Sequence, residues 1–208
     1  MPSIYGFKPR FQALLRPPTR WLAGAGVTAN HVTLLAVALS VAAGALLYHY
    51  PEQRWPLLLV TATLIVRMAL NAIDGLLARE HGQQSRLGAL LNELGDVVSD
   101  AALYLPFAAL TSMVPELIIA IVILSIISEM AGVVAVQIGA SRRYDGPMGK
   151  SDRALAFGAV ALLLGLGMDG GRWVKIVLLM VLAGLVLTIV NRAYRALAEA
   201  AHASSAQS

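Results

Sequence analysis

Residues 71–100 of the chain read NAIDGLLAREHGQQSRLGALLNELGDVVSD. Apolar stretches flank a short charged one, yet acids and amides also lie inside the apolar parts. Five of these polar residues fall where a helix of this composition would bury them: Asn71, Asp74, Asn92, Asp96 and Asp100. Burying ionisable groups is costly, so they indicate a functional site rather than an ordinary pair of apolar helices.

The composition of the whole chain indicates a membrane protein. Of its 208 residues, 58% are hydrophobic and only 13% are charged, whereas soluble domains carry about a quarter charged residues. Several apolar runs approach or exceed the roughly 18 to 20 residues with which a helix spans a bilayer. The absence of cysteine excludes disulfides and thiolate metal sites. The sequence therefore predicts an all-α integral membrane protein.

The hydrophobic pattern predicts one membrane domain, residues 1–208, with six transmembrane helices in a bundle over residues 32–196. The six ranges are about 32–49, 56–79, 87–110, 115–140, 153–168 and 173–196. Residues 4–23 mix basic, aromatic and aliphatic residues, which predicts a helix lying in the cytoplasmic membrane interface. The small, polar tail at residues 198–208 is expected to be flexible.

The distribution of basic residues predicts the orientation. Twelve of the 16 Lys and Arg residues fall in segments that six spans place on one side of the membrane, and three fall on the other. Because basic residues concentrate on the cytoplasmic side, both termini are predicted to be cytoplasmic. The expected location is the cytoplasmic (inner) membrane, and no nucleic-acid partner is expected.

Helical periodicity groups the polar residues of the opening stretch. At about 100° per residue, Asn71 and Asp74 share one face of the second span, while Asn92, Asp96 and Asp100 form a stripe on the third. A short loop joins the two spans, so we expect them to be antiparallel neighbours whose polar faces meet near the cytoplasmic surface. Converging carboxylate and amide oxygens favour a hard cation such as Mg²⁺, Mn²⁺ or Ca²⁺.

The same stretch resembles the signature of the CDP-alcohol phosphotransferases, D-x2-D-G-x2-A-R-x8-G-x3-D-x3-D. The residues that match it at the family's spacing are Asp74, Gly75, Ala78, Arg79, Gly88 and Asp96. The resemblance extends to the predicted architecture, because members are six-helix membrane proteins with a cytoplasmic interfacial helix before the first span.

The resemblance implies a function and a role for each matching residue. The family transfers a phosphatidyl or similar group from a CDP-linked lipid, such as CDP-diacylglycerol, to a polar alcohol and releases CMP. Asp74 would be a metal ligand and Asp96 a ligand or the general base. The CDP site would be lined by Asp74, Gly75, Ala78, Arg79 and Gly88. The family also implies a homodimer embedded among membrane lipids.

Two positions depart from the signature. The family's first and third aspartates are Asn71 and Asn92 here, and an amide oxygen can bind a hard cation but brings no charge. The metal set would be Asn71, Asp74, Asn92, Asp96 and Asp100, with Asp100 supplying part of the missing charge. One or two Mg²⁺ or Mn²⁺ ions are both compatible with this set, and loss of activity is the remaining alternative.

A second polar cluster surrounds the predicted loop before the fifth span. Four basic residues lie there, Arg142, Arg143, Lys150 and Arg153. They are either membrane-surface anchors or a pocket for the phosphate of the lipid donor or of the acceptor. Arg67 is similarly either a structural partner of Asp74 or a phosphate ligand. Glu129, inside the fourth span, either pairs with another helix or lines the acceptor pocket.

Two functions other than catalysis remain open from the sequence. A catalytically inactive family member would bind a CDP-lipid without releasing CMP. A small ion or solute transporter would use the intramembrane acids as its pathway, although these acids cluster near one side of the membrane.

Overall fold

A computed structural model describes the backbone of residues 7–205 and the side chains of residues 11–202. This part of the chain is all-helical, with seven α-helices and two short 3₁₀ helices. The α-helices are α1 (Phe7–Gly24), α2 (Ala29–His49), α3 (Trp55–Glu80), α4 (Arg86–Tyr104), α5 (Pro115–Val134), α6 (Lys150–Gly165) and α7 (Arg172–Ser205). The 3₁₀ helices Leu105–Ala109 and Ala135–Ile138 extend α4 and α5.

Polar caps fix the helix ends that surround the opening stretch. The Thr28 hydroxyl accepts a hydrogen bond from the His31 amide at 3.2 Å and begins α2, and the Ser85 hydroxyl accepts one from the Gly88 amide at 2.9 Å and begins α4. Such caps satisfy amides that have no partner within the helix. The Gln83 side chain accepts a hydrogen bond from the Ala29 amide at 2.7 Å. The α3–α4 loop is thereby attached to the start of α2.

Helices α2 to α7 contact one another in a closed circuit. Starting from α2, the order is α3, α6, α7, α5 and α4, and α4 packs back on α2. Although a short loop joins them, α3 and α4 do not pack closely on each other within the described residues. Helix α2 packs against both of them, and the polar faces of α3 and α4 nevertheless meet, as predicted, because Arg67 and Asn71 donate hydrogen bonds to Asp96.

An apolar core fills one end of this circuit. It includes the end of α2, the start of α3 and the facing halves of the later helices. Tyr104 stacks on Phe157 with ring centroids 4.1 Å apart, and Phe107 meets Phe157 edge-on at 5.2 Å. The other end of the circuit is where the polar residues of α3, α4, α5, α6 and α7 meet.

Six helices occupy the predicted span positions, but the count of six membrane spans is not confirmed. In the described part of the chain, four helices are long and apolar enough to cross a membrane: α2, α3, α5 with its 3₁₀ extension, and α7. Helix α6 has 16 residues, which is about 24 Å at about 1.5 Å per residue, against roughly 30 Å of hydrocarbon. Helix α4 carries four charged residues in 19 positions, which lowers its hydropathy.

The two ends of the chain differ in part from their predictions. Helix α1 packs on α3 through Leu15 and Leu22 against Ile73 and Leu77. Its interfacial position stays a prediction, and residues 4–6 of the predicted range lie outside the described residues. The predicted flexible tail is instead helical through Ser205, because its alanine-rich sequence has high helix propensity. Residues 206–208 lie outside the described part.

Candidate active site

The structure brings most of the predicted site residues to the polar end of the bundle. Helix α3 carries Arg67, Asn71 and Asp74 on successive turns, and α4 carries Asn92, Asp96 and Asp100. Since α3 and α4 are separated, long side chains bridge the gap between them. The bridging contacts run mainly from Arg67 on α3 to the acids of α4.

Asp96 lies at the centre of the site and has three partners. Its Oδ1 accepts hydrogen bonds from Arg67 Nη2 at 3.3 Å and from Asn71 Nδ2 at 3.2 Å. Its Oδ2 accepts a hydrogen bond from Lys150 Nζ at the start of α6. The side chain is 14% exposed, so this ion-paired carboxylate remains in contact with solvent.

Asp100 lies one turn deeper and is held between two arginines. Arg67 Nη1 donates to Asp100 Oδ1 at 2.6 Å, and Arg153 donates to Oδ2 through Nη2 at 2.8 Å and Nε at 3.1 Å. The side chains of all three residues are at most 6% exposed. Arg67 therefore pairs with Asp96 and Asp100, and the predicted alternative of a structural pair with Asp74 is not the one observed.

Three arginines converge on Glu129 of α5. Arg153 Nη2 lies 3.1 Å, Arg192 Nη1 3.3 Å and Arg142 Nη2 3.5 Å from its carboxylate oxygens. Arg142 also donates to Glu93 on α4. Glu129 thus joins α5 to α6, α7 and the loop before α6.

Asp74 is the acid of the predicted metal set that has no cationic partner within 4 Å among the described residues. It is buried, and the Thr33 hydroxyl of α2 donates to its Oδ2 at 3.0 Å. Thr33 is a contact that the sequence motif did not predict. The available signal was the sequence Asn30-His31-Val32-Thr33, which resembles the short Asn-x-x-Thr segment at the start of the first span in the family.

The residues predicted to line the CDP site lie toward the α3–α4 loop. Gly75 faces its own neighbour Arg79, since a Cβ built on Gly75 would lie 3.1 Å from Arg79 Nη2. Gly88 approaches α2 closely, because a Cβ there would lie 2.8 Å from Asn30 Oδ1. Ala78 is half-buried between them, and Arg79 is exposed. Because Gly75 and Gly88 have no side chain, the side chains of Arg79 and Asn30 lie directly against the helix backbone at this end of the site.

Two predicted residues are not drawn into the central contacts. Arg143 pairs with Asp145 and Glu199 instead, which links the loop before α6 to the end of α7. Asn92 is half-buried, and its side chain forms none of the ion pairs or hydrogen bonds that connect the described acids of the site. Arg192 was missed as a site residue because it was counted with the basic C-terminal end, although it lies within α7.

The site combines five acidic and five basic side chains. Its acids are Asp74, Glu93, Asp96, Asp100 and Glu129, and its bases are Arg67, Arg142, Lys150, Arg153 and Arg192. A buried ion-pair network is often no more stable than apolar packing of the same volume. Stability alone therefore does not explain why this network is present.

These residues do not fit a divalent-metal centre. Among the described residues, no group of three or more His, Cys, Asp or Glu side chains is arranged to hold a metal ion. Both oxygens of Asp96 and both oxygens of Asp100 already face cations. Only Asp74 would remain as a charged ligand, beside the neutral amides of Asn71 and Asn92, whereas Mg²⁺ and Mn²⁺ favour several hard oxygen ligands.

Comparison with known proteins defines the class to which this fold and site belong. Residues 26–201 match the model of the family described as CDP-alcohol phosphatidyltransferase. The match covers most of the chain, including all the site residues above. The chain belongs to the CDP-alcohol phosphatidyltransferase family.

One relative is similar to this chain in sequence, and two solved structures are similar to it in fold. The chain is 46% identical over 190 residues to the inner membrane protein YnbA of Escherichia coli (strain K12), covering 91% of this chain and 94% of YnbA. Phosphatidylinositol phosphate synthase of Mycobacterium tuberculosis with CDP-DAG bound has a similar fold, with a TM-score of 0.74 and 22% identity over 88% of this chain and 94% of that chain. The same enzyme with manganese and citrate also gives 0.74, at 23% identity and 88% coverage of both chains.

Proposed function

We propose that the protein transfers a phosphatidyl group from a CDP-linked lipid such as CDP-diacylglycerol to a polar alcohol and releases CMP. The observation that carries this proposal is the partly exposed Asp96 carboxylate, which two cations and an amide from helices α3 and α6 hold at the polar end of the bundle. Family membership supports the donor class. The M. tuberculosis phosphatidylinositol phosphate synthase structure with CDP-DAG bound supports a CDP-lipid site on the same fold.

In this proposal the donor lies along the small residues of α3. Its cytidine and pyrophosphate occupy the end of the site near Gly75, Ala78, Arg79 and Gly88, with Asp74 below them. Lys150 faces the pyrophosphate and lowers the free energy of the negative charge that develops on the departing CMP, while Arg67 stays paired with Asp96 and Asp100. Charge stabilisation of this kind is effective in a site from which water is largely excluded.

Asp96 acts as the general base for the acceptor. It takes the proton of the acceptor hydroxyl, whose oxygen forms a bond to the lipid-linked phosphorus. The bond between that phosphorus and the bridging oxygen of CMP breaks, and CMP leaves with its bonding electrons. A positioned base of this kind contributes about 10²- to 10⁴-fold to a rate.

The acceptor in this proposal is a polar alcohol without a phosphate group. The support is that three arginines which would otherwise clamp a phosphate are already paired with acids. Glu93 pairs with Arg142, Asp100 pairs with Arg153, and Glu129 contacts both of them and Arg192. A phosphorylated acceptor would have to compete with those carboxylates for the same donors. The remaining basic residue of the predicted pocket, Arg143, pairs at the surface and is assigned a structural role.

The membrane setting is part of the proposal. We place the protein in the cytoplasmic (inner) membrane as a multi-pass protein with both termini in the cytoplasm, as the YnbA relative and the basic-residue distribution favour. The active site then opens toward the cytoplasm, where CDP-linked donors and polar alcohols are available. We also propose a homodimer in contact with membrane lipids, on the basis of the family resemblance.

Mass-spectrometric product analysis tests the transfer. Purified protein in lipid nanodiscs is incubated with CDP-diacylglycerol and a pool of polar alcohols, and new phospholipids are identified. We expect one acceptor-dependent lipid to form with wild-type protein and with Asp169→Asn, an exposed aspartate at the opposite end of the bundle. Asp96→Asn should form none. Tight CDP-lipid binding with no product from any acceptor would instead establish a binding protein.

A further inference from the structure

We propose that Lys150 takes the place of a divalent metal ion in this protein, so that it binds the donor pyrophosphate and transfers the phosphatidyl group without a metal, while Arg67 holds Asp96 and Asp100 in place. This inference rests on the proposed function for the identity of the donor. It departs from the sequence prediction of Mg²⁺ or Mn²⁺ because the acids that would bind such ions are engaged elsewhere.

The first argument is that protein cations occupy the positions of metal coordination. The two acids of the α4 stripe present four carboxylate oxygens, and each of them faces a nitrogen of Arg67, Lys150 or Arg153. A metal ion bound to Asp96 or Asp100 would have to displace one of these nitrogens. Arg67 and Arg153 are buried and bridge pairs of acids, so displacing them would leave a buried charge without a partner, which is costly.

The second argument concerns charge. Positions 71 and 92 carry neutral amides where the family signature has aspartates, so the predicted metal set contains only three acids. Of these acids, Asp74 is the one that no arginine or lysine contacts in the described part of the chain. One carboxylate and two neutral amides offset only half the charge of a divalent ion. A fixed lysine needs no such compensation from a ligand set, since Asp96 already balances its single positive charge.

The third argument is the chemistry of the Lys150 side chain. A lysine ammonium acts as a movable point charge with three donors. The Lys150 side chain is 38% exposed and donates one hydrogen bond to Asp96. It also lies at the first position of α6, where the amides of a helix N-terminus add positive potential for an anion.

This arrangement also couples donor binding to activation of the base. When a pyrophosphate enters, Lys150 Nζ exchanges Asp96 Oδ2 for a phosphate oxygen. The exchange frees Oδ2 to accept the proton of the acceptor hydroxyl, while Arg67 and Asn71 keep hold of Oδ1. The donor should therefore bind before the acceptor.

Three measurements on detergent-purified protein test the inference. CMP release from CDP-diacylglycerol is followed with excess EDTA and with added Mn²⁺. Binding of CDP is titrated calorimetrically in EDTA. Binding of Mn²⁺ is followed by loss of the free-ion EPR signal on addition of protein. Lys150→Met is compared with Lys175→Met. Lys175 is exposed near the start of α7, at the end of the bundle away from the site.

The expected results are CMP release that EDTA does not reduce, CDP binding in EDTA, and no stoichiometric binding of Mn²⁺. Lys150→Met should weaken CDP binding by about tenfold or more, the effect of one charge-assisted hydrogen bond, while Lys175→Met should not change it. The combined variant Asn71→Asp, Asn92→Asp and Lys150→Met should gain Mn²⁺ binding, because it restores carboxylates and removes a competing cation.

The outcomes separate this inference from the proposed function. Release that EDTA abolishes and Mn²⁺ restores, or one Mn²⁺ bound per wild-type chain, would overturn the inference and leave the transferase intact. No release under any condition would overturn the transferase. In that case the CDP-binding measurement still decides the inference. Binding in EDTA that is weaker for Lys150→Met would support the role of Lys150 as the cation that binds the pyrophosphate. Binding only with Mn²⁺, or no binding at all, would reject that role.

Discussion

Arg153→Met distinguishes a structural arginine from a free phosphate clamp. The Arg153 side chain is 1% exposed and contacts Asp100 at 2.8 Å and Glu129 at 3.1 Å. Methionine keeps most of the volume but leaves one oxygen of each acid without this partner. In a site this deeply buried, unpaired carboxylate charge cannot be relieved by solvent. If the arginine is structural, the variant should lose stability even when no substrate is present.

The size of the loss follows from the burial of the pair. Breaking a buried ion pair by removing one partner costs about 3–5 kcal/mol. For a chain of about 200 residues, 1 kcal/mol changes the Tm by roughly 2–4 °C, so the expected decrease is about 6–20 °C. Arg67 and Arg192 still contact the two acids, which places the expected value in the lower half of that range.

Thermal aggregation followed by size-exclusion chromatography in detergent measures the change. Arg172→Met, which removes an exposed arginine at the start of α7, is the matched control and should leave the Tm unchanged. Adding Glu129→Gln to Arg153→Met should recover part of the loss, since it removes one of the unpaired charges. A decrease of less than the roughly 2 °C expected for 1 kcal/mol, together with a raised acceptor KM, would refute the structural role.

Three further variants test other parts of the account. Glu129→Gln should increase the affinity for inorganic phosphate about tenfold, measured by calorimetry, and unchanged affinity would contradict the neutral-acceptor proposal. Thr33→Val should raise the donor KM several-fold, because Asp74 loses its hydrogen bond; an unaltered KM would place the donor elsewhere. Gly44→Val should prevent folding, since a Cβ there would lie 1.9 Å from a backbone oxygen of α4, whereas Gly171→Val has open space; chromatography of both variants decides this.

The helical content and the polar stripes were predictable from sequence. Apolar runs and their Gly and Pro breaks locate six of the helices to within about three residues, except that α7 extends to Ser205 instead of ending at about residue 196. The agreement follows because hydropathy and helix-breaking are local properties. The stripe from Asn92 through Asp96 to Asp100 is likewise a consequence of helical periodicity. All three residues lie on α4 as expected, and the family resemblance is confirmed.

The partners of those stripes were not predictable from one sequence. Periodicity gives the face of a residue but not the helix it meets, so the position of α2 against both α3 and α4 could not be inferred. For the same reason the role of Arg67 stayed open between a partner of Asp74 and a phosphate ligand, and its pairing with Asp96 and Asp100 was not predicted. Arg192 was read as part of a basic terminus because charge counting ignores depth within a long helix.

The central claim is that Asp96 serves a phosphatidyl transfer, and the initial rate of acceptor-dependent CMP release tests it most directly. The rate is measured with CDP-diacylglycerol and the single alcohol that supports turnover. We predict that Asp96→Asn lowers it by about 10²-fold or more, while CDP binding and the Asp169→Asn rate stay at wild-type values. An Asp96→Asn rate equal to that of the wild type would contradict the account.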